Sequence, residues 1–148
     1  MLIRPATIED IKTLQLFEKR LRSYYKLIGE TVPVKRRTLA RIEKCISGYL
    51  IAEVANKPVG MIYYKEAVGC LTISHFWVNP RSRRQGIGSA LFNKVLEIGK
   101  ELGCTSAKLV VRDRNINAKN FYLKNGFVPG GTLMFLNFTD DNELEIND

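Results

Sequence analysis

The sequence of 148 residues shows no pattern of a membrane span, a signal peptide or a disulfide framework. No apolar run approaches the ~18 residues that read as a membrane span. The amino terminus MLIRPATIED lacks the basic start and apolar core of a signal peptide. Three cysteines are present, an odd number without paired ligand spacing, so neither a disulfide framework nor a zinc site is indicated. We therefore expect a cytoplasmic protein with free thiols at Cys45, Cys70 and Cys104, no metal and no membrane partner.

Acidic residues are scarce outside the last nine positions. Residues 140–148 carry five acids and no Lys or Arg, so the first 139 residues hold 23 basic against 10 acidic side chains. Such a charge attracts polyphosphates, acidic proteins or nucleic acid. No nucleic-acid motif accompanies it, so nucleic acid is not favoured as a partner. We expect the acidic tail to be flexible and the basic side chains before Gly48 to be mainly a solvated face: Lys35, Arg36, Arg37, Arg41 and Lys44.

Apolar periodicity and turn signals predict a single domain over residues 1–148. The element order is β-α-α-β-β-β-α-β-α-β-β, an α/β (α+β) fold with a mixed sheet and helices packed on it. Thr7 and Asp10 resemble a capping box at the first helix. The predicted helices are residues 8–28, 33–47, 89–102 and 115–125. The predicted strands are residues 1–5, 49–55, 59–65, 71–78, 107–112, 127–128 and 132–138.

The most informative stretch is residues 71–91, LTISHFWVNPRSRRQGIGSAL, in which a strand, a basic loop, two glycines and a helix follow one another. The start of a helix offers free N–H groups and a positive dipole end to an anion. Glycine lets the backbone approach a ligand, and arginines add charge-assisted hydrogen bonds. This stretch predicts a phosphate site, best suited to a diphosphate. A Walker loop is absent, and a dinucleotide fingerprint would need a third glycine where Leu91 stands.

Two motifs carry a family resemblance. Residues 83–88, RRQGIG, match the Arg/Gln-x-x-Gly-x-Gly/Ala signature of the GNAT superfamily of acyl-CoA-dependent N-acyltransferases. Residues 115–127 resemble that family's second block, Asn-x-x-Ala-x-x-x-Tyr-x-x-x-Gly-Phe. The resemblance implies a mixed, mostly antiparallel central sheet with helices on both faces. It also implies acetyl-CoA as the acyl donor, without a metal.

The resemblance also implies roles for individual residues. Main-chain N–H groups of residues 84–89 would hold the coenzyme A diphosphate, and the strand end at residues 76–78 would bond the pantetheine arm where it separates from the next strand. Asn115 matches a cofactor-binding position, although Asn also favours a helix N-cap. The expected cofactor-binding residues are Phe76, Trp77, Val78, Arg83, Arg84, Gln85, Gly86, Ile87, Gly88, Ser89, Asn115 and Tyr122.

Two residues are expected to be catalytic. Tyr122 matches the family tyrosine that protonates or hydrogen-bonds the departing thiolate. The glutamate that many relatives carry before the second block is replaced here by Val110. His75, the sole histidine, is then a candidate general base on the cofactor strand, with ordered water and Glu66 as other routes. Period-2 alternation places His75 on the same strand face as Ile73.

The resulting hypothesis is an N-acetyltransferase that moves acetyl from acetyl-CoA to a primary amine, of a small molecule or a protein, by direct transfer in a ternary complex. The missing carboxylate leaves a second class open, a non-catalytic acyl-CoA sensor. A homodimer also stays open. A cysteine acyl carrier is less favoured, because none of the three thiols has a histidine close in sequence.

Overall fold

A computed structural model of the chain describes residues 1–30, 37–136 and 138. It contains five strands and four helices in the described part of the chain, and a short 3₁₀ turn, Ile8–Asp10, leads into the first helix. The elements in chain order are β1 (Leu2–Pro5), α1 (Ile11–Leu27), α2 (Leu39–Lys44), β2 (Tyr49–Val54), β3 (Lys57–Ala67), β4 (Cys70–Val78), α3 (Ile87–Glu101), β5 (Ser106–Leu109) and α4 (Ile116–Lys124).

The five strands form one sheet in the order β1-β2-β3-β4-β5. Each neighbouring pair from β1 to β4 is antiparallel, whereas β5 runs parallel to β4 after the α3 crossover. The predicted mixed, mostly antiparallel sheet is therefore confirmed. The hairpin between β3 and β4 turns at Val68 and Gly69, both with positive φ (52° and 73°), a geometry that suits a two-residue turn.

Helices cover both faces of the sheet, each over its own apolar core. The apolar side of α1 buries Leu14, Phe17 and Leu21 on one face, at the i, i+3, i+7 spacing of an amphipathic helix. On the other face, α3 buries Leu91, Phe92 and Val95, and α4 packs beside it through Phe121 and Tyr122. Burial of each such side chain contributes roughly 1.5–3 kcal/mol to stability.

The start of α1 is fixed as the capping box predicts. The Asp10 carboxylate accepts a hydrogen bond from the Thr7 N–H at 2.8 Å. The same carboxylate pairs with both terminal nitrogens of Arg4, each at 2.8 Å. These hydrogen bonds from Arg4 hold the pKa of Asp10 below its usual value. None of the helices in the described part of the chain combines the length and apolar character required to cross a bilayer.

Strand β4 contains a β-bulge. Met61 pairs with Trp77 and Tyr63 pairs with Ser74, so two residues of β4, His75 and Phe76, lie opposite the single residue Ile62. His75 has a φ of 50°, a conformation that is costly for a residue with a side chain and common at functional sites. The bulge shifts the alternation of side chains along the strand. His75 and Trp77 consequently face α1, whereas Ile73 and Phe76 face α3, and the prediction that His75 shares a face with Ile73 is wrong.

Several predicted boundaries are also wrong. Thr38 caps α2 by accepting a hydrogen bond from the Arg41 N–H at 3.1 Å, so that helix begins at Leu39; the predicted start near residue 33 lies outside the described residues. Strand β5 ends at Leu109 instead of Arg112, because its pairing with β4 ends at Ile73 and Leu109.

The two last predicted strands, residues 127–128 and 132–138, are not strands in the part of the chain that the structure describes. Residues 133–136 have side chains that are 53–88% exposed, so they meet no partner that would bury one face of a strand. Pro129 also removes a backbone donor next to Gly130 and Gly131. The acidic tail and residue 137 lie outside the described residues.

Candidate active site

A cavity of about 650 Å³ opens between α1, the outer end of β4, the start of α3 and α4. It brings together every predicted site residue except Gln85 and Ile87. Gln85 is exposed and donates to the Arg81 carbonyl at 3.5 Å, whereas Ile87, the first residue of α3, is buried in the core. The predicted residues that line the cavity are His75, Phe76, Trp77, Val78, Arg83, Arg84, Gly86, Gly88, Ser89, Asn115 and Tyr122.

One end of the cavity is the first turn of α3. Gly86 occupies the N-cap position with a φ of 79°, and no side chain caps the turn. Arg84, just before it, also has a positive φ of 60°. The first N–H groups of a helix have no intrahelical partner, so this turn offers donors and a positive dipole end to an anion. A Cβ added at Gly88 would lie 3.4 Å from the Phe76 ring, so the missing side chain keeps the groove between α3 and β4 open.

The open edge of β4 forms the wall next to this turn. Strand β5 pairs with β4 only as far as Ile73 and Leu109, so residues 74–78 have no strand partner on that side among the described residues. The Asn79 N–H donates to the Val59 carbonyl on the β3 side, at 2.8 Å. Because successive N–H groups of a strand alternate in direction, the Val78 N–H faces the open edge. The edge thus presents the Val78 N–H and other main-chain groups without a strand partner to the cavity.

Arg83 is engaged by the protein itself. Its guanidinium lies over the Trp77 ring, 4.7 Å from the centroid, and over Tyr24 at 5.5 Å. Its Nε donates to the Val78 carbonyl at 2.9 Å. The Trp77 ring is buried in the α1-side core and its Nε1 donates to Asn79 Oδ1 at 3.1 Å. Both side chains therefore brace the loop between β4 and α3.

Residues of the second motif close the other side. The Asn115 side chain accepts from the Ala118 N–H at 3.4 Å, so it caps α4, and it also accepts from the Tyr24 hydroxyl at 3.4 Å. Tyr122 packs its ring against Phe92 and Phe127. Burial raises the pKa of the Tyr122 phenol above its ordinary value, so the phenol is neutral and a hydrogen-bond donor at physiological pH.

His75 is held by a carboxylate that the sequence patterns do not identify. Its Nδ1 lies 2.8 Å from the Glu18 carboxylate of α1, and Glu18 is only 2% exposed. Burial alone would raise the pKa of Glu18, but hydrogen bonds from His75 and Tyr49 and the nearby Arg37 outweigh it and lower that pKa. Helical spacing could have signalled this residue, because Glu18 lies on the apolar side of α1 between Leu14 and Leu21.

Carboxylates are lacking from the cavity wall in the part of the chain that the structure describes. Among the described residues that line the cavity, none is Asp or Glu. Val110, the residue that the family resemblance places where many relatives carry a glutamate, lies on the cavity wall. Glu66 accepts a hydrogen bond from the Gly69 N–H at 3.0 Å, at the β3–β4 turn, and is not a lining residue. Within residues 1–30, 37–136 and 138, no cluster of three or more His, Cys, Asp or Glu could hold a metal ion.

Comparison with known proteins shows the family to which the chain belongs. The sequence model of the acetyltransferase (GNAT) family matches residues 13–127, which include most of α1, the bulged strand β4, the glycine turn and α4. The chain belongs to the GNAT acetyltransferase family. This confirms the family that the two motifs indicated.

Similar GNAT proteins include an uncharacterized N-acetyltransferase of Methanocaldococcus jannaschii, 31% identical over 84% of this chain and 59% of its own length. Streptothricin acetyltransferase A of Bacillus subtilis is 38% identical, over 43% of this chain and 38% of its own length. The chain thus spans less than two thirds of both proteins. Thialysine N-epsilon-acetyltransferase of Bos taurus is 26% identical over 82% of this chain and 81% of its own length.

Solved structures share the fold. PaiA N-acetyltransferase from Thermoplasma acidophilum, crystallised in complex with coenzyme A, superposes with a TM-score of 0.78 at 21% identity, covering 88% of this chain and 91% of that one. Ard1 from Thermoplasma volcanium superposes with a TM-score of 0.71 at 28% identity, covering 88% of this chain and 84% of that one.

Proposed function

We propose that this GNAT protein is an N-acetyltransferase that moves an acetyl group from acetyl-CoA to a primary amine in a single ternary complex. One observation carries the proposal. A single cavity joins an anion-binding helix turn, an open strand edge, and two side chains able to handle protons, His75 and Tyr122. The N-acetyltransferases among the relatives and the coenzyme A complex of a protein of the same fold support it.

The residues present fit coenzyme A. The first turn of α3, from Gly86 to Ser89, would hold the diphosphate through main-chain N–H groups. Two arginines of the loop line the cavity, and because Arg83 braces Trp77, the exposed Arg84 is the one available to phosphate. The open edge at residues 76–78 would bond the amides of the pantetheine arm, and the gap at Gly88 leaves room for that arm beside Phe76. When bound, acetyl-CoA supplies the activated acyl group.

The protein's own groups would then assist transfer. His75 accepts the proton that the amine nitrogen loses as the new C–N bond forms and the C–S bond breaks. The Val78 N–H faces the edge at which negative charge builds on the acyl oxygen. Tyr122 donates a hydrogen bond to the departing sulfur. Its raised pKa makes free proton release difficult, so stabilisation by this hydrogen bond is favoured over full transfer. Holding both reactants in one cavity supplies most of the acceleration.

The acceptor is an amine of low positive charge. The basic side chains that line the cavity are three arginines, at positions 83, 84 and 112, together with His75. Because the described lining residues include no carboxylate, a second ammonium group on the acceptor finds no partner among them and must lose solvation. Amino acids, lysine-like side chains and peptide amines are therefore better candidates than polyamines.

A direct assay tests the proposal. The purified chain is incubated with acetyl-CoA and a panel comprising amino acids, lysine, thialysine, peptides, spermidine and a streptothricin, and free thiol is measured. We expect turnover with at least one amine, and acetylation of nitrogen verified by mass spectrometry. Saturable coenzyme A binding with no turnover on any amine would contradict the enzyme and leave a binding module.

A further inference from the structure

A chain of hydrogen bonds leads from Arg37 to His75 through the protein interior. Arg37 Nη1 donates to the Tyr49 hydroxyl at 2.9 Å. The Tyr49 hydroxyl lies 2.7 Å from Glu18 Oε1. Glu18 in turn meets His75 Nδ1 at 2.8 Å. Arg37 was expected on a solvated face, but its guanidinium lies 4.3 Å from the centroid of the Tyr63 ring, so the structure corrects that expectation.

The direction of each hydrogen bond follows from the first. A guanidinium can only donate, so the Tyr49 oxygen accepts from Arg37 and its own proton points to Glu18. Glu18 is ionised and can only accept. His75 Nδ1 must therefore carry the proton that it shares with Glu18. The neutral ring then has its lone pair on Nε2, the nitrogen that remains for a ligand in the cavity lined by His75.

We propose that Glu18 is a positioning residue that, with Tyr49 and Arg37 behind it, fixes His75 as the Nδ1–H tautomer and so directs the Nε2 lone pair to the acceptor amine. This inference rests on the proposed acetyl transfer. In the reaction the amine proton passes to Nε2, and the imidazolium that forms keeps its Nδ1–H on the Glu18 carboxylate. The proton leaves later to solvent.

Two features argue that this arrangement serves more than folding. A buried carboxylate loses its hydration, and an apolar side chain at that position of α1 would fill the space without that cost. The His75 backbone also has positive φ within the bulge that turns the ring toward α1. Both costs fall on the same pair of residues beside the cavity. A purely structural core would require neither.

The tautomer can be observed directly because the chain contains one histidine. We would label the full-length protein with ¹⁵N and record the imidazole nitrogen shifts under conditions in which the ring is neutral. We expect Nδ1 to show the protonated shift and Nε2 the unprotonated one. In Glu18→Gln the amide can donate to the ring as well as accept, so we expect the single-tautomer pattern to be lost. Glu97→Gln, at an exposed position of α3, is the matched control and should leave the two nitrogen shifts of His75 unchanged.

Kinetics complete the test. Glu18→Gln should lower kcat about tenfold to a hundredfold, less than the whole effect of a general base, ~10²–10⁴. KM for the amine and Kd for coenzyme A should stay within about twofold, because Glu18 contacts neither. Tyr49→Phe, which keeps the ring, should lower kcat less. This variant also preserves the test if Glu18→Gln does not fold.

Failure of this inference can be separated from failure of the proposed function. An active wild-type enzyme whose His75 carries its proton on Nε2 would overturn the positioning role alone. A folded Glu18→Gln protein with wild-type kcat would also overturn the positioning role alone. If Glu18→Gln does not fold, wild-type kcat in Tyr49→Phe would overturn it. Absence of turnover on every amine, with coenzyme A binding intact, would refute the transferase and the kinetic role of Glu18 together.

Discussion

Replacing Gly88 by leucine should separate cofactor binding from folding. Gly88 lies within α3 and has ordinary helical geometry, and a Cβ there would lie 3.4 Å from the Phe76 ring and 3.9 Å from Val78 Cγ2. A long helical side chain points back toward the helix N-terminus. The leucine would therefore cover the first-turn N–H groups that we assign to the diphosphate.

The two effects can be estimated separately. Leucine is favoured over glycine in a helix by roughly 0.8 kcal/mol, and the tight contact with Phe76 offsets part of that gain. Stability should change by less than about 1 kcal/mol, or about 3 °C in Tm for a chain of this size. Loss of one hydrogen bond to a charged group costs about 1.5–3 kcal/mol, which corresponds to a tenfold to hundredfold rise in Kd.

Calorimetric titration with coenzyme A and thermal unfolding without ligand measure the two quantities. Gly99→Ala is the control in the same helix, because its Cβ would lie 2.8 Å from the buried Leu71 Cδ2. We expect that variant to lower Tm and to leave coenzyme A affinity unchanged. A Gly88→Leu protein with native Tm and unchanged Kd would show that the diphosphate does not bind at the start of α3.

Three further variants test other parts of the account. Tyr122→Phe should lower kcat by about tenfold to a thousandfold and change Kd for coenzyme A by less than about twofold; single-turnover rates measure this, and an unchanged rate would remove Tyr122 from the mechanism. Asp10→Asn should lower the free energy of unfolding by about 1–3 kcal/mol at pH 7. Because the pKa of Asp10 is depressed, its contribution is present above the unfolded pKa of about 3.9 and is lost as pH falls through the folded value. Denaturant unfolding at pH 7 and pH 3 should therefore show that the difference in free energy of unfolding between Asp10→Asn and wild type is smaller at pH 3. An equal difference at both pH values would contradict this role of Asp10. Arg83→Met should lower the ligand-free Tm by about 3 °C through loss of the cation–π contacts; weaker coenzyme A binding at unchanged Tm would instead assign Arg83 to phosphate.

Local patterns in the sequence sufficed wherever neighbouring residues determine the geometry. The capping box at Thr7 and Asp10, the Asn115 cap of α4 and the glycine turn at the start of α3 all follow from residues within one turn of each other. The β3–β4 turn at Val68 and Gly69 is of the same kind. These elements also contain both family motifs, which is why the family and most of the cavity could be predicted.

Features that depend on distant partners could not be read from periodicity. The face that His75 occupies depends on one extra residue in β4, which becomes visible only when the pairing with β3 is known. Helical spacing places Glu18 on the apolar side of α1, but its contacts with Tyr49 and His75 become visible only when the strands are in place. Residues 132–136 have a composition typical of a strand. Composition alone does not form a strand, because a strand also needs a neighbouring strand to pair with.

The bulge in β4 connects the fold to the proposed chemistry. Without the extra residue, strict alternation would place His75 on the α3 face with Ile73, away from Glu18. Because of the extra residue, the side chains of His75 and Trp77 face α1, whereas those of Phe76 and Val78 face α3. The proposed proton acceptor and the proposed cofactor edge thus come from one short segment, residues 75–78. Both border the same cavity, so proton removal and attack can occur in one place.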